Sequence, residues 1–152
     1  MAVLDRMLCF ALYTASRATA QAYRRVLDAW DLTYPQYLVL VELWSRGPLT
    51  VGELGADLGL DSGTLSPLLR RMERAGLVAR DRDRPDARRV TVTLTGRGEG
   101  MRDELAGVPD AIARAMGVEP DRAPVLIADL TRLTHSLQRA TAPATNPPPR
   151  ER

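Results

Sequence analysis

The chain has 152 residues and no lysine; all of its 21 basic residues are arginine. It also has only one cysteine, Cys9, one histidine, His135, and one phenylalanine, Phe10. Each shortage excludes something. A single cysteine cannot form an intrachain disulfide or a thiolate metal cluster. A single histidine argues against a His-based metal site and against a serine triad. No apolar run approaches the roughly 20 residues of a membrane span. Residues 1 to 6, Met-Ala-Val-Leu-Asp-Arg, lack a basic region followed by an apolar signal core, so a reduced, cytoplasmic protein is the expectation. The absence of lysine has a plain explanation in GC-rich arginine codons. Where the arginines sit is what carries information.

Apolar residues make up 45% of the chain and charged residues 26%, a balance that supports a globular core. Residues 4 to 30 read as one long helix, with Leu4, Met7, Leu8, Ala11, Leu12, Ala15, Ala22, Val26 and Trp30 at spacings of three and four. At about 40 Å it is longer than a compact small domain needs, so it is expected to pack against a second subunit or bracket a separate module.

Shorter helices with readable starts follow. Thr33-Tyr34-Pro35-Gln36 is a capping box with proline in the first turn, and the helix it opens stops at Arg46-Gly47-Pro48. Thr50-Val51-Gly52-Glu53 is a second capping box, closed by Gly59. Asp61 or Ser62 caps the next helix, whose Leu65, Leu68, Leu69 and Met72 form a buried stripe ending at Gly76. The period then changes from 3.6 to 2: a short strand from Leu77 to Arg80, a charged loop, and an alternating strand from Arg88 to Leu94 make a hairpin. Helical pattern resumes from Thr95 to about Met116, loosened by glycines and Pro109, and again from Asp121 to Arg139. Residues 141–152 are proline-rich and polar and are expected to form a disordered tail.

Helix, two capped helices and a hairpin is the order of a winged helix-turn-helix. The expected fold is therefore mainly α with a small β-hairpin wing, and the winged module spans residues 33–95. Residues 1–32 and 96–140 would form a helical dimerisation region. In such a module the second helix enters the major groove with its N-terminal residues toward base edges. Its exposed positions are Ser62, Thr64, Ser66, Arg70, Arg71 and Arg74, opposite the Leu/Met stripe. Residues 70–97 hold nine arginines against four acids, a local +5, while the remainder of the chain nets −3. A basic module on an acidic frame suits phosphate binding by counterion release, so double-stranded DNA is the expected partner. A charge run alone would be read as a solvated face; helix order, turn glycine and hairpin together favour DNA.

All seven aromatics and Cys9 lie between residues 9 and 44. Cys9 and Tyr13 are four apart and share a helix face. Tyr23 returns to within roughly 40° of that face but lies about 21 Å farther along a straight helix. It cannot touch its own Cys9, whereas an antiparallel two-fold partner could bring its Tyr23 there. A lone cysteine on an apolar helix is ordinarily a small packing residue; tyrosine hydroxyls change that, because phenol donors stabilise a thiolate.

Three blocks carry a resemblance: Leu8-Cys9-Phe10-Ala11-Leu12-Tyr13, Leu32-Thr33-Tyr34-Pro35-Gln36-Tyr37, and Leu60 through Leu69, Leu-Asp-Ser-Gly-Thr-Leu-Ser-Pro-Leu-Leu. They resemble the organic-hydroperoxide-sensing, OhrR-like repressors of the MarR (multiple antibiotic resistance regulator) family. The segment Asp86-Ala87-Arg88-Arg89-Val90 with Leu94-Thr95 is similar to the broader family's wing. The resemblance covers roughly residues 4 to 140 and implies a homodimer held by the first and last two helices, on a pseudo-palindromic operator. It implies that Cys9 is the peroxide sensor, with Tyr13, Tyr23 and Tyr34 stabilising its thiolate, Tyr23 and Tyr34 coming from the other subunit. It also implies that Arg88, with Arg89 beside it in the wing, works at the DNA, Arg88 in the minor groove. With one thiol the chain looks like the one-cysteine subtype, in which a low-molecular-weight thiol or overoxidation must follow sulfenic acid formation. Gly96-x-Gly98-x-Gly100 is more glycine-rich than the family pattern; it lacks the spacing and context of a nucleotide loop. Asp81, Asp83 and Asp86 read as a solvated wing tip, and His135 as an interface or surface residue, so no cofactor or metal is expected.

The leading expectation is a redox-switched repressor, not an enzyme, released from its operator when organic hydroperoxide oxidises Cys9. The alternative is a repressor of the same fold released by a non-covalent small aromatic ligand in a dimer cleft. A thiol peroxidase is disfavoured because the chain supplies no resolving cysteine and no use for a winged helix.

Overall fold

The computed structural model describes residues 3–82 and 90–141. A 3-10 turn at Val3–Arg6 leads into α1, Leu8–Leu27, and a second 3-10 turn at Asp28–Trp30 follows it. Then come α2 (Tyr34–Arg46), β1 (Leu49–Thr50), α3 (Val51–Leu58), α4 (Ser62–Arg74), β2 (Val78–Arg82), β3 (Val90–Leu94), α5 (Gly96–Glu104), α6 (Val108–Met116) and α7 (Ala123–Thr141). The fold is mainly helical with a small antiparallel sheet, as the hydrophobic periodicity predicts.

Two local features depart from the expected patterning. The single helix over residues 4–30 is divided. Met7 takes extended backbone, φ −97° and ψ 112°, which separates the first turn from α1. At the other end Asp31 turns left-handed at φ 52°, a conformation aspartate tolerates better than most residues. That reversal lets the Leu32 N–H reach the Leu27 carbonyl at 3.4 Å and buries both leucines. The wing is also more than a hairpin. β1 pairs antiparallel with β3, Leu49 opposite Val92, so the sheet order is β1-β3-β2 with β3 central. On the other side Val78 faces Leu94, Arg80 faces Val92 and Arg82 faces Val90.

The helix starts follow their caps. Gln36 Oε1 accepts from the Thr33 N–H at 2.8 Å, and Glu53 Oε2 accepts from the Thr50 N–H at 2.8 Å. Asp61, not Ser62, caps α4, its Oδ1 accepting from the Thr64 N–H at 2.9 Å. Gly59 and Gly76 close α3 and the turn after α4 at φ 63° and 70°, where a Cβ would be strained.

The residues up to Met116 form one compact unit, and those from Gly117 another. In the first, Val39, Leu40 and Leu43 of α2, Leu54 of α3, the α4 stripe, Val78, Val92, Met101 of α5, Leu105 just after it, and Val108 and Ile112 of α6 make one core. Two indoles tie α5 into it: Trp44 Nε1–H donates to the Gly98 carbonyl and Trp30 Nε1–H to Glu104 Oε2, both at 3.0 Å. The second unit is essentially α7, which has no buried residue; Val125, Leu126, Ile127, Leu130 and Leu137 are all exposed. No helix among the described residues is long and apolar enough to cross a membrane. The expected tail and the Arg88–Arg89 pair lie outside the described residues.

Candidate functional site

α4 is the element on which a nucleic-acid reading depends. Its inward stripe is fully committed: Leu65, Leu68, Leu69 and Met72 are all buried. With that face fixed, helical rotation turns Ser62, Thr64, Arg70, Arg71 and Arg74 to solvent, while Ser66 is half-buried. The Asp61 cap shapes the leading turn. Besides the backbone bond, Asp61 Oδ2 accepts from the Thr64 hydroxyl at 3.1 Å, so the Thr64 oxygen keeps its lone pairs free to accept. These two bonds from Thr64 hold the Asp61 carboxyl below the usual carboxylate range. Pro67 within α4 cannot donate to the Gly63 carbonyl four residues back, and that carbonyl lies on the exposed first turn.

The basic segment is less uniform than its charge count. Arg80 is engaged within the protein: its Nε–H and a terminal N–H both donate to Glu73 Oε2, at 3.0 and 2.5 Å. Arg97 donates to the Ala75 carbonyl at 3.1 Å, at the root of the wing. Thr95 adds two bonds there, its hydroxyl to the Gly76 carbonyl at 2.5 Å and its N–H to the Leu77 carbonyl at 3.1 Å. Sequence reading missed the Arg80–Glu73 pair. The signal was available: on a strand Arg80 shares a face with Val78, which is buried.

The thiol and the cluster of Tyr23, Tyr34 and Tyr37 occupy different regions of the first unit. Cys9, the second residue of α1, is exposed. Tyr13 is also exposed, and its hydroxyl accepts from Arg17 at 3.1 Å while the Arg17 guanidinium sits 5.6 Å from the ring centre. Tyr23 and Tyr34 are brought together, stacked with centroids 4.0 Å apart, and Tyr37 joins at 5.8 Å from Tyr23. Tyr37 then meets Trp44 edge-on at 6.5 Å. Burial, followed by the neighbouring phenols, pushes the Tyr23 hydroxyl up to about 12, so it stays a proton donor throughout the physiological range. Because Cys9 and Tyr23 lie on one uninterrupted helix, about 21 Å separates their turns, and one protomer does not join them. Among the described residues there is no cluster of three or more metal-ligating side chains.

This geometry has known counterparts. The MarR family model matches residues 32–90, from the buried Leu32 to the start of β3. The chain is 45% identical over 134 residues to the HTH-type transcriptional regulator TtmR of Methylorubrum extorquens, covering 88% of this chain and 69% of that one. It is 44% identical over 109 residues to the organic hydroperoxide resistance transcriptional regulator of Bacillus subtilis, covering 72% and 74%. Among solved structures, reduced AbfR bound to DNA superposes with a TM-score of 0.75 at 35% identity, covering 88% of this chain and 94% of that one. With the capped α4, the three-stranded wing sheet and these relatives together, the chain belongs to the MarR family of winged-helix, DNA-binding transcriptional regulators.

Proposed function

We propose that the chain is a homodimeric repressor whose hold on a pseudo-palindromic operator is lost when an organic hydroperoxide oxidises Cys9. The observation that carries this reading is the separation of an exposed Cys9 from the stacked Tyr23–Tyr34 pair along α1. A two-fold copy of α1 running antiparallel would bring the partner's phenols to this thiol. Tyr23, held protonated, is then a donor suited to a thiolate. Support also comes from the relatives: one is a regulator of organic hydroperoxide resistance, and AbfR has been solved in reduced, overoxidized and disulfide forms, so its cysteine chemistry is documented.

The chemistry is a two-electron oxidation. The Cys9 sulfur takes the terminal oxygen of the hydroperoxide: an S–O bond forms, the O–O bond breaks, and the alcohol leaves with a proton, producing the sulfenic acid. With Cys9 the one thiol in the chain, a low-molecular-weight thiol then condenses with it to a mixed disulfide, releasing water. Either product enlarges the side chain beside the partner's phenols and shifts the dimer toward a spacing of recognition helices that no longer fits two half-sites.

At the DNA, α4 lies in the major groove with Ser62, Thr64 and Ser66 toward base edges and Arg70, Arg71 and Arg74 toward phosphate, and Arg88 and Arg89 reach the duplex from the wing. Residues 1–32 and 96–140 form the dimer-making part. The exposed Leu4, Met7 and Leu8 at the start of the chain and the apolar residues of α7 are the surfaces such a dimer would cover. The test is a Cys9→Ser variant on a duplex selected by the wild-type chain. It should bind as wild type does and stay bound when tert-butyl hydroperoxide releases the wild type. Release of Cys9→Ser by the same peroxide would contradict the proposal.

A further inference from the structure

Arg80 stands out as a cation turned inward. β2 is an edge strand of the sheet, and its partner across β3 at this position is Val92, which is fully buried. Residues paired across a ladder project from the same face. Arg80 therefore points toward the protein side of the wing, and there it meets Glu73 in the last turn of α4. Both N–H donors converge on one carboxylate oxygen, and both side chains are partly shielded from solvent, Arg80 26% and Glu73 38% exposed. The guanidinium holds the Glu73 carboxyl below the usual carboxylate range, so the pair is ionised at neutral pH.

The chain between the two residues is a single turn through Gly76 at φ 70°. The backbone closure Leu77 N–H to Met72 O, at 3.0 Å, and the Thr95 and Arg97 bonds fasten the turn itself. The core that Val78 and Val92 share with the α4 stripe seats the sheet, and among the described residues the Glu73–Arg80 ion pair adds a polar tie from the last turn of α4 to β2.

We propose that Glu73 and Arg80 are a positioning pair for operator binding: their ion pair fixes the angle between the recognition helix and the wing, so that both engage one half-site at once. It rests on the reading that α4 and the wing contact the same duplex. Arg80 itself touches no phosphate; it acts by holding the hairpin.

A competing role, Arg80 as a direct phosphate contact merely damped by Glu73, predicts the opposite sign. The experiment measures affinity and salt dependence on a duplex of 30 base pairs that the wild-type homodimer enriches from a random pool. Variants are Glu73→Gln, Arg80→Gln and the exchanged pair Glu73→Arg with Arg80→Glu. The positioning role predicts that Glu73→Gln and Arg80→Gln each weaken binding by about tenfold and make the slope of log K against log salt shallower by about one, as a groove contact is lost. Hydroxyl-radical footprints should lose the wing's protection while keeping that of α4. The exchanged pair should regain affinity to within about threefold, because the contact is restored in reverse. Tighter binding by Glu73→Gln with a steeper slope would overturn the inference, as would unchanged binding by both single variants. If the wild-type chain enriches no duplex, or its footprint shows α4 alone, the shared half-site reading fails first. Thermal midpoints of the variants, measured in parallel, separate misfolding from mispositioning; the exchanged pair supplies the decisive arm if either single variant is unfolded.

Discussion

Gly98 sits where no side chain fits. A Cβ built there would lie 2.1 Å from the Leu77 carbonyl oxygen, a backbone atom that cannot move aside without breaking the Thr95 bond to the same oxygen. The second glycine of α5 is thus a packing requirement, and it lets the helix approach the wing root while Trp44 donates to its carbonyl. Gly98→Ala should therefore cost about 3 kcal/mol, the upper end of overpacking, in urea unfolding. Gly100, with open space around it, is the control, and Gly100→Ala should be neutral or slightly stabilising. A loss under about 0.5 kcal/mol for Gly98→Ala, the range of ordinary surface changes, would contradict the close approach. Leu69→Ala, at a fully buried position of α4, should cost about 3 kcal/mol by the transfer and cavity terms.

At the scale of elements, α4 is organised by its two ends. Asp61 caps the start, and its carboxyl is depressed mainly by the Thr64 N–H and hydroxyl; Glu73 near the end is depressed by Arg80. Both groups bind protons less readily folded than unfolded. Their contribution is fully present above the ordinary carboxylate value of about 4 and is lost as pH falls through the lower folded values. Thermal midpoints should drop more steeply below pH 4 in wild type than in Asp61→Asn, which keeps an accepting cap without a titrating group. Parallel profiles would contradict the assignment. Along the outer face, Arg70→Ala, Arg71→Ala and Arg74→Ala should each lower the salt slope of duplex binding by about one if they meet phosphate.

Much of this element was legible beforehand, because its signals are local. Asp61, Gly59, Gly76 and the Leu65–Met72 stripe each state a start, a stop or a face within one or two turns. What was not legible depends on distant partners. β1 is two residues long and is a strand only because Val92 and Thr91 lie beside it. The break at Met7 interrupts a stripe that periodicity alone carries straight through. Arg80 looked like one more cation because its counter-ion, Glu73, lies seven residues back across a turn. The Tyr23–Tyr34 stack joins α1 to α2, and spacing along one helix could not reveal it.

The whole molecule has apolar surface without a partner. α7 taken by itself exposes five large aliphatic residues, and the start of the chain exposes four more apolar ones, Val3, Leu4, Met7 and Leu8. Contiguous exposed apolar faces of this kind ordinarily mark interaction surfaces. The proposed dimer predicts a thermal midpoint that rises with protein concentration and a sedimenting species of twice the chain mass. Leu130→Glu on α7, at the midpoint of that face, should shift the population toward monomer and remove duplex binding without changing the helicity of the first unit. In the proposed switch the dimer, the thiol and the operator meet in one event. Its most direct measurement follows, in a single time course with tert-butyl hydroperoxide, the mass of the Cys9 peptide and the fraction of operator still bound. Oxygen addition at Cys9 and operator release should rise together in wild type, and Cys9→Ser should show neither. Release that precedes Cys9 oxidation, or that persists in Cys9→Ser, would contradict it.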